Sequence, residues 1–190
     1  MIDLSKVISY DIETTGLSPK DDDIIQLAIV DGYGSELFNH YFKPKHAINA
    51  EAESVNHLDF DKLQQEQPFV YYMNEVQTIF CKADLLLGYN QLDFDNCFLQ
   101  YNGIDLVYKP SIDVKQMVAE EWKTDNVKQQ WHHSPYHRFH LSEAASMTGY
   151  DWGKGQAHDA LADAKATAHV YRKLAKQNAE TDKVYLGMNK

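Results

Sequence analysis

Asp11 and Glu13, in the stretch "SYDIETTGL" at residues 9–17, stand two positions apart inside a run that otherwise reads as a buried strand. Side chains two apart on a strand point to the same face, so these carboxylates lie side by side and repel unless something positive separates them. Two further acids are planted in apolar helical rows. Asp95 falls in the row Leu92, Asp95, Leu99, and Asp163 in the row Ala160, Asp163, Thr167, Val170, Leu174. A carboxylate directed into a core needs a partner or loses its charge, and a cation is the simplest partner. Each acid also has a plainer reading, Asp95 as a helix N-terminal acid favoured by the macrodipole and Asp163 as a half-exposed residue near Lys165.

In "AHDALADA", residues 157–164, His158 and Asp163 are five positions apart, about 140° around a helix, so they cannot share one helical face. If both serve one site, His158 stands in the loop before the helix, with Asp159 as cap. The two glycines of "DWGKGQ" suit such a loop. A histidine on a loop beside acids that hold cations is placed like a general base.

The elements that must position these residues follow from periodicity. "KVISYDIE" puts Val7, Ser9, Asp11 and Glu13 on one face and Ile8, Tyr10 and Ile12 on the other, "DIIQLAIV" follows as a neighbouring strand, and "ELFNHYF" as a third after the turn "DGYG". From Pro68, the spacing of Phe69, Met73, Val76 and Phe80 predicts a helix, and "ADLLLGYN" a short buried strand. Helices are then expected at "LDFDNCFLQYNG", "DVKQMVAEEW", "LSEAASMTG" and, longest, "DALADAKATAHVYRKLAKQ". The order implies an α/β fold, a mixed sheet covered by helices.

At 190 residues and 44% hydrophobic composition, one domain spanning 1–190 is expected, with an irregular polar insertion at about 123–140. A formal net charge of −10 argues against nucleic-acid binding through a basic surface alone, but divalent cations can supply the charge the chain lacks. Neither end reads as a targeting segment and no apolar run would span a bilayer, so a cytoplasmic protein without membrane association is expected. Cys81 and Cys97 lack metal-motif spacing and are expected as buried free thiols. His132, His133, His137 and His140, set among Trp131, Tyr136 and Phe139, lack a completing Cys or acid. They read as a polar-aromatic surface suited to stacking on single strands rather than as a zinc site.

Taken together, "DIETTGL", "GYNQLDFDNCFL" and "HDALADA" resemble the three motifs of the DEDDh (DnaQ-like) 3′–5′ exonuclease family, the group that includes the epsilon proofreading subunit of bacterial DNA polymerase. The resemblance spans residues 6–175 and implies a ribonuclease H-like fold with a five-stranded mixed sheet. It implies further that Asp11, Glu13, Asp95 and Asp163 hold two Mg²⁺ or Mn²⁺ ions and that His158 is the general base. On the same basis Thr14, Leu17, Leu58 and Asn90 are substrate-binding candidates, with ordinary core packing the alternative for Leu17 and Leu58. Where the family usually carries His-Gly before that apolar position, this chain has Asn56 and His57. The implied substrate is the single-stranded 3′ end of DNA, the product a nucleoside 5′-monophosphate, and a polymerase a candidate partner. An exoribonuclease of the same architecture is the nearest alternative, followed by a non-catalytic module that binds nucleic-acid ends or a polymerase.

Overall fold

A computed structural model describes residues 2–106, 109–122, 139–153 and 158–180. Three antiparallel strands come first: β1 (Val7–Thr14), β2 (Ile24–Asp31) and β3 (Glu36–Tyr41). Two short helices, α1 (Ala50–Asn56) and α2 (Phe60–Leu63), and a 3₁₀ turn at Phe69–Tyr71 lead to α3 (Met73–Lys82). Then follow β4 (Leu85–Gly88), α4 (Asp95–Tyr101), β5 (Ser111–Asp113), α5 (Val114–Glu121), α6 (Leu141–Met147) and α7 (Ala160–Glu180). The sheet order is β3-β2-β1-β4-β5. β4 runs parallel to β1, and β5 parallel to β4, which the crossovers through α3 and α4 make possible.

Alternation along β1 sorts its side chains between two cores. Ile8, Tyr10 and Ile12 join Phe38, Phe80, Phe98 and Leu99 beneath α3 and α4. Val7 joins Leu87, Val118, Val170 and Leu174 on the opposite face, under α5 and α7. Asp11 and Glu13 share the face of Val7 and so point toward α7, as their spacing requires. β2 is buried along nearly its whole length, the pattern of a strand covered on both faces. Each fully buried large side chain, Tyr10 and Phe80 among them, contributes roughly 1.5–3 kcal/mol.

The three N-terminal strands, β4 and the five expected helices are present, and the five-stranded mixed sheet is the one the resemblance implies. Several details differ. The helix expected from Leu92 begins at Asp95, which leaves Leu92 outside it and exposed; Asp95 is a first-turn acid as well as a buried one. Asp113 is not the first residue of α5 but its cap, accepting the backbone N–H of Lys115. Cys81 and Cys97 are exposed rather than buried, because they occupy the solvent-facing sides of α3 and α4. Of the histidine-rich insertion only Phe139 and His140 lie within the described residues; His132, His133 and His137 lie outside them. No helix among the described residues is long and apolar enough to cross a membrane.

Candidate active site

The acids of β1 and α7 converge where β1 runs past the end of β4. Carboxylate oxygens of Asp11, Glu13 and Asp163 all lie within 4.8 Å of one another. Asp163 reaches this point from the first turn of α7, whose remaining inward row, Ala160, Thr167, Val170 and Leu174, is buried. Asp95 arrives from α4. β4 pairs with β1 only over Val7–Ser9, so the N–H of Ile12 on that edge has no strand partner, and Asp95 Oδ1 accepts it at 3.2 Å. The tyrosine hydroxyl of Tyr10 donates to Asn96 Oδ1 and anchors the same end of α4. Asp95 is thereby locked beside the strand that carries Asp11 and Glu13.

Burial of this acid group raises every one of its pKa values. Asp11 is pushed well above the usual carboxylate range by burial and then by Asp95, Asp163, Glu13 and Asp159. Burial, with Asp163, Asp95 and Asp159, lifts Glu13 to about 8. Asp95 is raised to about 7 by burial, against the pull of two backbone N–H groups. Asp163 is raised to about 6 by burial, against the His158 N–H and side chain. Among the described residues nothing that acts on Asp11 or Glu13 favours their charged forms, and Asp163 Oδ1 is buried without a hydrogen-bond partner among them. An orphaned, buried carboxylate oxygen facing other carboxylates is what a divalent cation satisfies, so the residues present fit the metal site that the motifs imply.

A consequence can be measured on the protein alone. Folded-state pKa values above the unfolded ones mean that the folded chain holds more protons between about pH 4.5 and 8, so metal-free stability falls as pH rises through that window. The melting temperature in EDTA is therefore expected to drop from pH 5 to pH 8. With millimolar Mg²⁺, which binds the charged folded form, the decline should vanish or reverse. A flat profile in EDTA would contradict the clustering of these acids.

His158 stands before α7 with φ 69°. Its backbone N–H donates to Asp163 Oδ2 at 3.1 Å, and its side chain is exposed. Asp159 caps α7, accepting the Ala162 N–H at 3.0 Å. Among the substrate-binding candidates, Thr14 is buried and donates its hydroxyl to the Gly16 carbonyl. Leu17 is 74% exposed, which removes core packing as its explanation. Asn56 is buried and clasps the end of β1, donating to the Thr14 carbonyl at 3.3 Å and accepting the Leu58 N–H at 3.0 Å; Leu58 is half-buried. His57, at the position where the family usually has glycine, takes a left-handed φ of 56°, a conformation that glycine adopts without strain. Asn90, also left-handed at φ 72°, is engaged on another side. Its N–H donates to Asp113 Oδ1 at 3.0 Å and its Oδ1 accepts from Lys115 Nζ at 2.9 Å, so it ties the loop after β4 to the start of α5.

Residue patterns alone did not reveal Asp159 as a fifth acid acting on Asp11 and Glu13, nor the network of Gln26 and Tyr41 beside it. Gln26 carried a signal: a polar side chain in the middle of "IIQLAIV".

The model of the exonuclease family RNase_T matches residues 8–171. The chain belongs to this exonuclease family. Among curated relatives, DNA polymerase III PolC-type proteins of Streptococcus agalactiae and Streptococcus pyogenes are 27% and 29% identical to it over 112 residues. That alignment covers 56% of this chain and 8% of each relative. Among solved structures, E. coli exonuclease I in complex with a dT13 oligonucleotide superposes with a TM-score of 0.72 at 19% identity, over 93% of this chain and 42% of that one. The zinc-bound E. coli exonuclease I complex with single-stranded DNA gives 0.72 at 19%, over 95% and 42%. This exonuclease-family chain thus shares the ribonuclease H-like fold of those neighbours and spans less than half their length.

Proposed function

We propose that the chain is a divalent-metal-dependent 3′–5′ exonuclease that removes nucleoside 5′-monophosphates from single-stranded DNA ends, in proofreading or end trimming. The observation that carries this reading is the convergence of Asp11, Glu13 and Asp163 with an orphaned buried oxygen on Asp163, and Asp95 fixed beside them by the Ile12 N–H. Asp11, Glu13, Asp95 and Asp163 would hold two Mg²⁺ or Mn²⁺ ions. When bound, such ions neutralise charge developing on the phosphoryl oxygens and the departing 3′ oxygen and make water nucleophilic at neutral pH. Four carboxylates against two dications sum to zero, so an acidic chain can admit a phosphodiester.

The remaining roles belong to the chain's own residues. His158 accepts the proton of the attacking water, held in place through its N–H to Asp163. Leu17, exposed beyond the end of β1, and Leu58, set by Asn56, offer apolar contact to the terminal bases. The buried Thr14 shapes the turn that presents Leu17, and Asn90 orients the loop that carries Asp95. Single-stranded DNA as substrate is supported by the oligonucleotide complexes of the exonuclease I neighbours. Association with a polymerase is supported by the PolC-type relatives.

The test is digestion of matched 5′-labelled DNA and RNA oligonucleotides with Mg²⁺, with Mn²⁺ and with EDTA. Ladders shortening from the 3′ end with either metal and absent in EDTA, faster on DNA, are expected. Faster cleavage of RNA would replace the substrate, and no ladder on either would overturn the catalytic reading in favour of a binding module.

A further inference from the structure

A buried glutamine stands in the middle of the apolar strand β2. Gln26 is 1% exposed, and strand register places it between Glu13 of β1 and Tyr41 of β3. Directly paired residues share a sheet face, so these three side chains form one row under the start of α7. The Gln26 amide oxygen accepts the N–H of Ala160 at 3.3 Å, one of the donors that a helix N-terminus leaves without an intrahelical partner. Its Nε2 donates to Asp159 Oδ2 at 3.4 Å and to Asn39 Oδ1 at 3.2 Å. The Tyr41 hydroxyl donates to the same Asp159 oxygen at 3.3 Å. Both amide hydrogens and the carbonyl of Gln26 are therefore in use.

Apolar packing at this end of α7 is made mostly of small side chains. Ala160, Ala164 and Ala168 rest on Ala28 and Val30, with the partly buried Leu161 against them, and contacts of this kind interdigitate weakly and set a helix's register against a strand only loosely. The polar contacts to Gln26 and Tyr41 supply that register. They grip the two residues between His158 and the rest of α7, while Glu13 is held to Gln26 by strand pairing.

We propose that Gln26, assisted by Tyr41, is a positioning residue that sets the reach of Asp163 and His158 toward Asp11 and Glu13. The proposal rests on the metal-dependent exonuclease reading above. Its test is Gln26→Met, near-isosteric but without the amide, in the full chain. Mn²⁺ affinity, measured by calorimetry without nucleic acid, is expected to fall by about 3- to 10-fold, less than the roughly 10- to 100-fold cost of losing a group bonded directly to a ligand, because Gln26 acts one step removed through Asp159 and Ala160. Cleavage of a saturating single-stranded DNA oligonucleotide should slow in kcat with KM unchanged, because no substrate-facing residue is altered. A glutamine that served folding alone would lower Tm and leave both Mn²⁺ affinity and kcat at wild-type values, and that result overturns the proposal. Should Gln26→Met fail to fold, Tyr41→Phe removes only the hydroxyl on Asp159. A weaker shift in the same direction supports the clamp, and unchanged Mn²⁺ affinity refutes it. Wild-type protein that binds Mn²⁺ but cleaves no oligonucleotide would sink the exonuclease reading, while the calorimetric arm would still judge the clamp.

Discussion

Asp11→Asn is expected to lower single-turnover cleavage on the order of 10³-fold, the upper range for removing one preorganised electrostatic group, and at the same time to raise the melting temperature in EDTA. The two effects have one origin. Asp11 is half-buried beside Glu13, Asp95, Asp163 and Asp159, each of which disfavours its charge. Asparagine keeps the shape and removes that repulsion, so the metal-free fold gains stability. Each kcal/mol recovered moves Tm by roughly 2–4 °C in a chain of this size. In Mg²⁺ the order is expected to reverse, because the variant lacks a proposed ligand and gains less from the ion. Thermal melts with and without Mg²⁺, beside a rate measurement, read both halves. A folded Asp11→Asn protein that keeps the wild-type rate removes Asp11 from the metal site. One that loses activity with Tm unchanged in EDTA denies that these acids strain the metal-free fold.

The parts of the fold readable from residue order are those where burial imposes a long period. Eight residues of β1 alternate between two cores, and α7 repeats its inward row from Ala160 to Leu174, about four turns, so the acids at Asp11, Glu13 and Asp163 stand out as charges in apolar positions. Short elements carry too few repeats. β5 has three residues and α2 has four, and both are fixed by neighbours, β5 through Gln91, whose buried amide donates to the Ile112 carbonyl at 2.9 Å. Cys81 and Cys97 were misplaced for a related reason. On a helix with one buried face, a small residue next to the apolar row is equally compatible with either side, and the structure turns both outward. The convergence of Asp95 on β1 depends on where β4 stops, which no local pattern encodes. The clamp on Asp159 depends on a register between three strands and a helix more than 100 residues away, although the lone polar residue of β2 marked its position.

His158→Ala separates proton transfer from metal binding because of how this histidine is attached. The Asp163 carboxylate receives the backbone N–H of His158, which alanine retains, and the imidazole itself is exposed rather than packed into the acid cluster. The substitution is therefore expected to leave the carboxylates where they are and to delete only the proposed base. Single-turnover cleavage is expected to slow by about 10² to 10⁴, with Mn²⁺ affinity close to wild type. The left-handed backbone at φ 69° is no easier for alanine than for histidine, so a small loss of Tm is expected and is distinguishable from the rate effect by assay well below the melting range. Because the deleted ring was solvent-accessible, free imidazole can enter its place, and millimolar imidazole in the buffer should restore part of the lost rate. A mutation that merely disturbed the loop would not respond to imidazole, and one that displaced Asp163 would weaken Mn²⁺ binding. Unchanged single-turnover rates would remove His158 from the general-base role and leave the carboxylates as the chemical machinery of the site.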